Sequence, residues 1–296
     1  MEETLTQPQT AQAKLNSGKE SLSILLSSES PAIQALLTPI ASSNPVVDER
    51  KVRRLYLQAT QQQWFAPKKL DFELSVEMPE EQRVVWVKLM TIFYTLEKMG
   101  LNVISNMMSK AQRRLKSDEI AFYLSAQCGD EARHVFVIEN YLKRLGAPPK
   151  YEWSYHVLGQ AASMGFYRVE NWLFSTLFSE NFASAFLRRA KGAQIDKLGS
   201  EMCKNLLLDE SRHLHFLHIV LPDIFDRLSM FGKSYVKLSQ YFIMKFTERV
   251  SRSFDDQVAV VGINRRDLLE EVFADVERAY GNFGVSKQFL RFPKIH

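Results

Sequence analysis

The sequence is short of cysteine and glycine. Of 296 residues, only 2 are cysteine and 12 are glycine. Cys128 and Cys203 cannot build a disulfide framework, and both stand in apolar, helix-forming contexts, so we expect buried free thiols in a reducing compartment. The low glycine content, beside 20 phenylalanines, disfavours a turn-rich sheet fold and favours a helical core filled with aromatic side chains.

The sequence also lacks a strong charge imbalance and a long uncharged apolar run. Its net charge is +4, and its basic residues are scattered among acids. Nucleic-acid-binding domains concentrate basic residues on one face, so we expect no nucleic-acid partner. The one uncharged run of 18 residues, 30–47, is interrupted by three prolines and six polar residues and so is not an apolar span, and the first residues do not form a basic-then-apolar leader. We therefore expect a cytoplasmic protein without a membrane partner.

Composition divides the chain into a polar extension and a larger domain. Residues 1–45 are rich in Ser, Thr, Gln and Ala, which predicts a partly disordered extension with a short helix within 30–40. Residues 46–296 predict an all-α domain of four long helices with flanking ones. The predicted helices cover 79–110, 117–145, 159–189, 196–220 (ended by Pro222), 230–253 and 266–280, after an extended segment at 64–73. The β-branched run at 257–263 is too short to build a sheet.

One pattern, Asp-Glu-x-Arg-His, occurs twice, in CGDEARHVF and in LLDESRHLHF, 79 positions apart. In a helix, Glu131 and His134 are three positions apart and project from one face, as do Glu210 and His213. Charged side chains are costly to bury unless they are paired or bound to a metal, yet both motifs stand in apolar runs. Two Glu-x-x-His motifs, with one Glu from each of two further helices, form the ligand set of dinuclear iron or manganese sites in four-helix bundles.

The two further glutamates have candidates at matching distances. Glu97 is the only acid in FYTLEKMGLNV and stands 34 positions before Glu131. Glu180 lies in the apolar segment STLFSENFASAF, 30 positions before Glu210. Glu170 is the alternative on the same predicted helix, at a spacing of 40. We predict Glu97 and Glu180 as ligands, with Glu170 as the alternative to Glu180.

Electrostatics favour two divalent ions at this site. Four carboxylates and two neutral imidazoles carry a charge of −4, which two divalent cations cancel. Oxygen-rich ligands with one imidazole per metal suit iron or manganese better than zinc. We predict two iron ions, with Fe/Mn or Mn pairs as alternatives, and O2 as co-substrate. Asp130 and Asp209 precede the motif glutamates and are placed to accept the N–H of a metal-bound histidine, with Arg133 and Arg212 as their ion-pair partners. The remaining histidines and the two cysteines are interpreted as packing or surface residues.

These residues resemble the ferritin-like diiron-carboxylate superfamily, in its oxygen-activating branch. The lead-in QQQWFAPKKLDFE, Glu97, DEARH and DESRH are similar to the ribonucleotide reductase small subunit and its ligand-binding oxidase relatives, over about residues 55–220. The Asp-Glu-x-Arg-His motif is also similar to one in the hydroxylase subunits of multicomponent monooxygenases. The resemblance implies that Asp130 orients His213 and that Asp209 orients His134.

Three positions depart from specialised members of the superfamily. The radical-storing reductase subunit has a tyrosine where this chain has Ile138. The p-aminobenzoate N-oxygenase family adds a histidine ligand four residues before the last motif glutamate, where this chain has Leu206, so we expect six ligands here and a protein set apart from that family. Multicomponent hydroxylases carry a threonine four residues after the third-helix glutamate. Ser184 stands there and is the candidate for relaying a proton.

The sequence therefore predicts a non-haem diiron oxygenase or oxidase. It would act on a small apolar or aromatic molecule by hydroxylation, N-oxygenation or desaturation. Electrons would come from a separate ferredoxin or reductase, because the chain has no flavin or nicotinamide fingerprint. A homodimer is compatible with this interpretation. The alternative is a radical-generating or self-modifying oxidase, which Ile138 disfavours, and an iron-storage shell is disfavoured by the length of the chain.

Overall fold

The chain divides into two compact units, Met1–Ala41 and Ser42–His296. A computed structural model describes residues 46–149, 169–193, 195–252, 255–285 and 289–296, together with residues 35, 38 and 39. The predicted helix at 30–40 lies almost wholly outside the described residues, as do the beginning of the predicted helix at 159–189 and the rest of the polar extension. The predicted domain boundary after residue 45 remains a prediction.

All regular secondary structure in the described part of the second unit is helical. None of its residues lies in a β-strand, which confirms the predicted all-α class. No helix within the described ranges is long and apolar enough to cross a membrane. The helices are α1 (Glu49–Gln62), α2 (Ala66–Lys69), α3 (Glu80–Arg114), α4 (Asp118–Arg144), α5 (Val169–Ala193), α6 (Lys197–Arg227), α7 (Met230–Ser251), α8 (Asp255–Val258) and α9 (Arg265–Asn282), with a 3-10 turn at Ala259–Val261.

The ends of the long helices follow local chemistry. α3 begins directly after Pro79, with two acids in its first turn and two arginines in its last, which suits both ends of the helix dipole. The Ser117 hydroxyl caps α4 by accepting the Ile120 N–H, and the Asp196 carboxylate caps α6 by accepting the Gly199 N–H at 2.7 Å. These caps mark the residues at which α4 and α6 begin.

Two helical pairs build the bundle. α3 packs mainly on α4, and α5 mainly on α6. The pairs meet through α4 against α6 and α3 against α5. α1 lies against α4 and α6, while α7 and α9 lie against α5. This arrangement brings both repeated motifs, on α4 and α6, to the centre of one core.

Several sequence expectations about the elements are wrong. α6 does not end at Pro222 but continues to Arg227. An interior proline costs roughly 3 kcal/mol of helix stability. Leu221, Ile224 and Phe225 are buried around it, and we attribute the continuation of the helix to their packing. The segment expected to be extended at 64–73 contains the helical turn α2, with a proline in its first turn. The run at 257–263 builds no sheet, as expected, and contains the end of α8 and the 3-10 turn. Helix α1 is not among the predicted helices.

Candidate dimetal centre

Six buried side chains from four helices converge inside the bundle. α3 contributes one glutamate, α5 contributes one, and α4 and α6 each contribute a glutamate and a histidine. None is more than 6% exposed. They form two groups of three, and in each group the potential ligand atoms lie within 4.8 Å of one another: Glu97, His134 and Glu210 in one, and Glu131, Glu180 and His213 in the other. Glu170 belongs to neither group and lies half-buried in the first turn of α5.

The grouping crosses the two sequence motifs. His134 comes from the first motif, but its Nδ1 lies 3.3 Å from Oε1 of Glu210, which comes from the second. Nδ1 of His134 also lies 3.0 Å from Glu97 Oε2. The other oxygen of Glu210, Oε2, lies 3.2 Å from Nδ1 of His213. The Glu210 carboxylate therefore reaches both imidazoles, which is the position required of a carboxylate that bridges two metals.

The second group has the same form. Nδ1 of His213 lies 3.3 Å from Glu180 Oε2 and 3.7 Å from Glu131 Oε1. Both histidines thus direct Nδ1 towards the glutamates of the cluster and Nε2 away from those glutamates. The site is built from α4 and α6 as a unit, because each motif supplies its imidazole to one group and its carboxylate to the other.

Two aspartates hold the outer nitrogens of the histidines. Asp209 Oδ2 lies 3.1 Å from Nε2 of His134, and Asp130 Oδ2 lies 3.3 Å from Nε2 of His213. An ionised aspartate at Nε2 fixes the proton there and leaves Nδ1 as a lone-pair donor. These are the pairs that the superfamily resemblance implies.

The aspartates are in turn held by two partly buried arginines. Arg133 Nη2 donates to both Asp130 and Asp209, and Arg212 Nη2 donates to Asp209 at 2.5 Å and to Asp130 at 3.1 Å. The Trp64 indole N–H adds a bond of 2.8 Å to Asp209, and its ring lies against the Arg133 guanidinium. The sequence motif indicated the arginines, but the role of Trp64 was missed, because its partner lies 145 positions away.

Burial and mutual repulsion set the charges of the cluster. Burial, with the neighbouring carboxylates, raises the pKa values of Glu131 and Glu180 well above the usual range. Burial opposes the charged imidazolium, but the surrounding carboxylates overcome it and raise the pKa values of His134 and His213. Glu210 behaves oppositely: despite burial, hydrogen bonds from Glu180 and the two histidines lower its pKa. Without a metal, the cluster therefore holds protons.

The donor set fits two metal ions. Two groups, each of two carboxylates and one imidazole, offer the hard oxygen-rich environment that iron and manganese prefer. The helix packing also leaves room for the carboxylate of Glu131. A Cβ atom added at Gly100 on α3 would lie 2.9 Å from Glu131 Oε2, so only glycine permits this approach.

A cavity of about 470 Å³ opens beside the carboxylates. All four cluster glutamates reach its wall, and most of the remaining wall is apolar, including Phe93, Phe178, Phe182 and Phe186. Leu96, Phe246 and Val250 line the cavity and are also 43%, 65% and 45% exposed, so they form an apolar rim between α3 and α7. The cavity can hold a small apolar molecule against the cluster.

The hydroxyl groups on the cavity wall differ from the predicted one. Ser184 is buried, is not part of the wall, and its Oγ has no hydrogen-bond partner among the described residues. A proton relay through Ser184 therefore remains a prediction without a supporting contact. Thr176 and Ser179, on the turn of α5 before Glu180, line the cavity instead. Their hydroxyl protons go to the Trp172 and Thr176 carbonyls, which leaves lone pairs available to a ligand.

A family model described as P-aminobenzoate N-oxygenase AurF matches residues 63–279, which include all six cluster residues. The chain belongs to the AurF family. It is thus a non-haem diiron oxidoreductase that activates O2, as the sequence predicted. The expectation that Leu206 sets the chain apart from this family is wrong. Leu206 is a fully buried apolar residue.

Solved structures show the same fold in other proteins. An aldehyde deformylating oxidase from Synechococcus superposes with a TM-score of 0.58 at 16% identity, covering 74% of this chain and 96% of that one. A mutant of the R2-like ligand-binding oxidase, with a Mn/Fe cofactor, gives 0.61 at 15% identity, covering 88% and 100%. The AurF family member therefore has the ferritin-like bundle that the sequence predicted. No curated protein matches its sequence.

Proposed function

We propose that this AurF family member is an O2-dependent oxygenase of a small apolar or aromatic amine, with N-oxygenation as its reaction. The observation that carries the proposal is the cavity, because it is largely apolar and ends on the four glutamates of the buried cluster. Among the three reactions compatible with the sequence, family membership favours transfer of oxygen to nitrogen.

The six cluster residues would hold the metals. Glu97 and His134 would bind one ion and Glu180 and His213 the other. Glu210 contacts both imidazoles and would be shared between the two ions. Glu131 belongs to the second group by distance and lies on the same helix face as His134 of the first group, so it would be the other shared ligand. When bound and reduced, the metal pair supplies the electrons and binding positions that O2 reduction requires.

The protein's own residues select and position the substrate. The phenylalanines of the wall exclude water and favour a planar or apolar body. The hydroxyls of Thr176 and Ser179 offer lone pairs to an amine N–H near Glu180. One oxygen atom would go to the substrate nitrogen, and the other would leave as water, with two electrons and two protons from outside the chain.

The decisive experiment combines metal analysis with product analysis. Purified protein loaded with Fe²⁺ should bind two ions per chain and, after chemical reduction, consume O2. With a panel of aromatic amines and size-matched alkylbenzenes, mass spectrometry should find an added oxygen on the amine nitrogen. Oxygen found on carbon instead would replace N-oxygenation with hydroxylation, and an enzyme without O2 uptake would contradict the proposal entirely.

Ligand variants provide the matched controls. Glu180→Ala and His213→Ala should lose the ion that these two residues would hold and should keep the other. Glu170→Ala changes the same residue type on α5 as Glu180→Ala, but outside the cluster, and should retain both ions. Full metal content in the first two variants would show that the ligands are assigned wrongly.

The reaction would also need an electron donor and a reducing compartment. A ferredoxin or a reductase would supply electrons, and the cytoplasm would keep Cys128 and Cys203 reduced. Burial raises the thiol pKa values to about 11 and about 12, so both thiols stay protonated and unreactive at neutral pH. Sedimentation of the purified chain would test whether it forms a homodimer.

A further inference from the structure

A buried amide side chain lies against the glutamates of the cluster. Gln127 is 2% exposed and lies on α4, one turn before Glu131 and on the same helix face. Its Nε2 donates to Glu180 Oε1 at 3.0 Å and lies 3.4 Å from Glu131 Oε1. Nε2 is therefore the end of the Gln127 amide that faces the cluster, and it lies against an oxygen of each glutamate.

The two carboxylate oxygens of Glu180 face different partners. Oε1 accepts the Gln127 N–H, while Oε2 lies 3.3 Å from Nδ1 of His213, on the metal side of the cluster. A carboxylate held in this way presents one oxygen to a metal and keeps the other occupied. The donor also moderates the repulsion between Glu131 and Glu180 because it contacts an oxygen of each.

Only the first of the two repeated motifs has an amide at this position. Gln127 stands four residues before Glu131, and Leu206 stands four residues before Glu210. Leu206 is fully buried and has no hydrogen-bonding group to offer. The group of Glu97, His134 and Glu210 thus has no counterpart of the Gln127 amide on α6, although the two groups otherwise use the same residue types.

We propose that Gln127 is a positioning residue that makes the two metal positions unequal. By holding Glu180 in a single orientation, it prepares the position formed by Glu131, Glu180 and His213 to bind metal more tightly than the other. Glu97 has no such holder from α6 and is freer to change its coordination. This inference rests on the proposed dimetal centre and adds an order of filling to it.

The test is a stepwise titration of the full-length metal-free protein with Mn²⁺. Calorimetry and electron paramagnetic resonance measure the binding at each step. Wild type should bind two ions with separate affinities. Gln127→Met keeps the volume and removes the donor, and should weaken the tighter position by about 10- to 100-fold, the usual effect of losing a group that orients a ligand. The weaker position should change by less than about twofold. Leu206→Met makes the same kind of substitution at the equivalent position of α6 and should leave both affinities unchanged.

A second background tests whether Gln127 acts through Glu180. In Glu180→Ala protein the carboxylate is already gone, so adding Gln127→Met should change the remaining affinity by less than about twofold. If Gln127→Met does not fold, as judged by circular dichroism, Gln127→Asn retains the amide but withdraws it by one methylene. The same site-selective loss is expected for this variant.

The outcomes separate this inference from the proposed function. Wild-type protein that binds fewer than two Mn²⁺ ions would refute the dimetal centre itself. Wild type that binds two, with Gln127 variants that keep both affinities, would refute only the positioning role. Equal weakening of both positions, or the same loss in Leu206→Met, would likewise overturn it, because a general packing defect does not select one position.

Discussion

Nε2 of His134 lies 3.1 Å from Oδ2 of Asp209, although the imidazole belongs to the first repeated motif and the carboxylate to the second. The reciprocal contact joins His213 and Asp130 at 3.3 Å. These contacts fasten α4 to α6 at the centre of the bundle and turn the Nδ1 atoms towards the glutamates. Neither motif can therefore form its half of the site without the other.

Replacing Asp209 with Asn should damage both the site and the fold. Asp209 receives hydrogen bonds from Trp64, Arg133 and Arg212 as well as facing His134. Removing its charge leaves two largely buried guanidinium groups with Asp130 alone, and we expect a loss of about 3 kcal/mol in the free energy of unfolding. Metal affinity should fall about 10- to 100-fold. Denaturant unfolding and calorimetry measure the two effects, and Asp226→Asn, an exposed change on the same helix, should show neither.

Metal uptake should release protons and strengthen as the pH rises. The pKa values of Glu131, Glu180, His134 and His213 are raised in the metal-free protein, so these groups stabilise it below their unfolded pKa values. That stability is lost as the pH rises through the folded pKa values, whereas metal binding requires the deprotonated forms. The pKa of Glu210 is lowered, so its contribution to the stability of the metal-free protein is fully present above its ordinary pKa near 4.5. At neutral pH Glu210 therefore does not change how metal binding depends on pH.

Thermal unfolding between about pH 6 and pH 9 measures this effect. The difference in melting temperature between Mn²⁺-loaded and metal-free protein should grow with pH. Calorimetry in buffers of different ionisation enthalpy should detect the released protons. A pH-independent difference would mean that the cluster is already deprotonated before metal binds.

Gly100→Ala should separate helix stability from metal binding. Alanine in a helix interior gains about 0.5 to 1 kcal/mol over glycine. At Gly100 the new Cβ would lie 2.9 Å from Glu131 Oε2, so the carboxylate must move and metal affinity should drop. Gly192→Ala, on α5, has no atom within 4 Å of its new Cβ and should stabilise the protein without changing metal affinity. Equal metal binding in both variants would show that Glu131 can shift without loss.

The apolar rim of the cavity should control substrate entry. Phe246 and Phe231 lie on the same helix and are 65% and 79% exposed, but only Phe246 lines the cavity. Phe246→Lys places a charge at the rim and should raise KM for an apolar amine several-fold while leaving metal content intact. Phe231→Lys should leave KM unchanged. A parallel change in both variants would point to a general effect of α7 and not to an entrance.

The long helices were predictable because their signals are local. The acids after Pro79, the cap at Ser117 and the cap at Asp196 define ends that depend only on neighbouring residues. Where packing overrides local preference, the sequence was misleading. α6 passes through Pro222 among buried Leu221, Ile224 and Phe225, a neighbourhood that exists only after the helices assemble.

Local features of the sequence are enough to predict the kind of site. The residue types of the repeated motif, their spacing of three on a helix and the added glutamates on two further helices predict a dinuclear carboxylate site, because helix periodicity alone puts each Glu and His on one face. Tertiary structure decided how those residues are shared. Which glutamate faces which imidazole, the bond from Trp64 to Asp209 and the one-sided donor at Gln127 all depend on contacts between helices, and no local rule sets those distances.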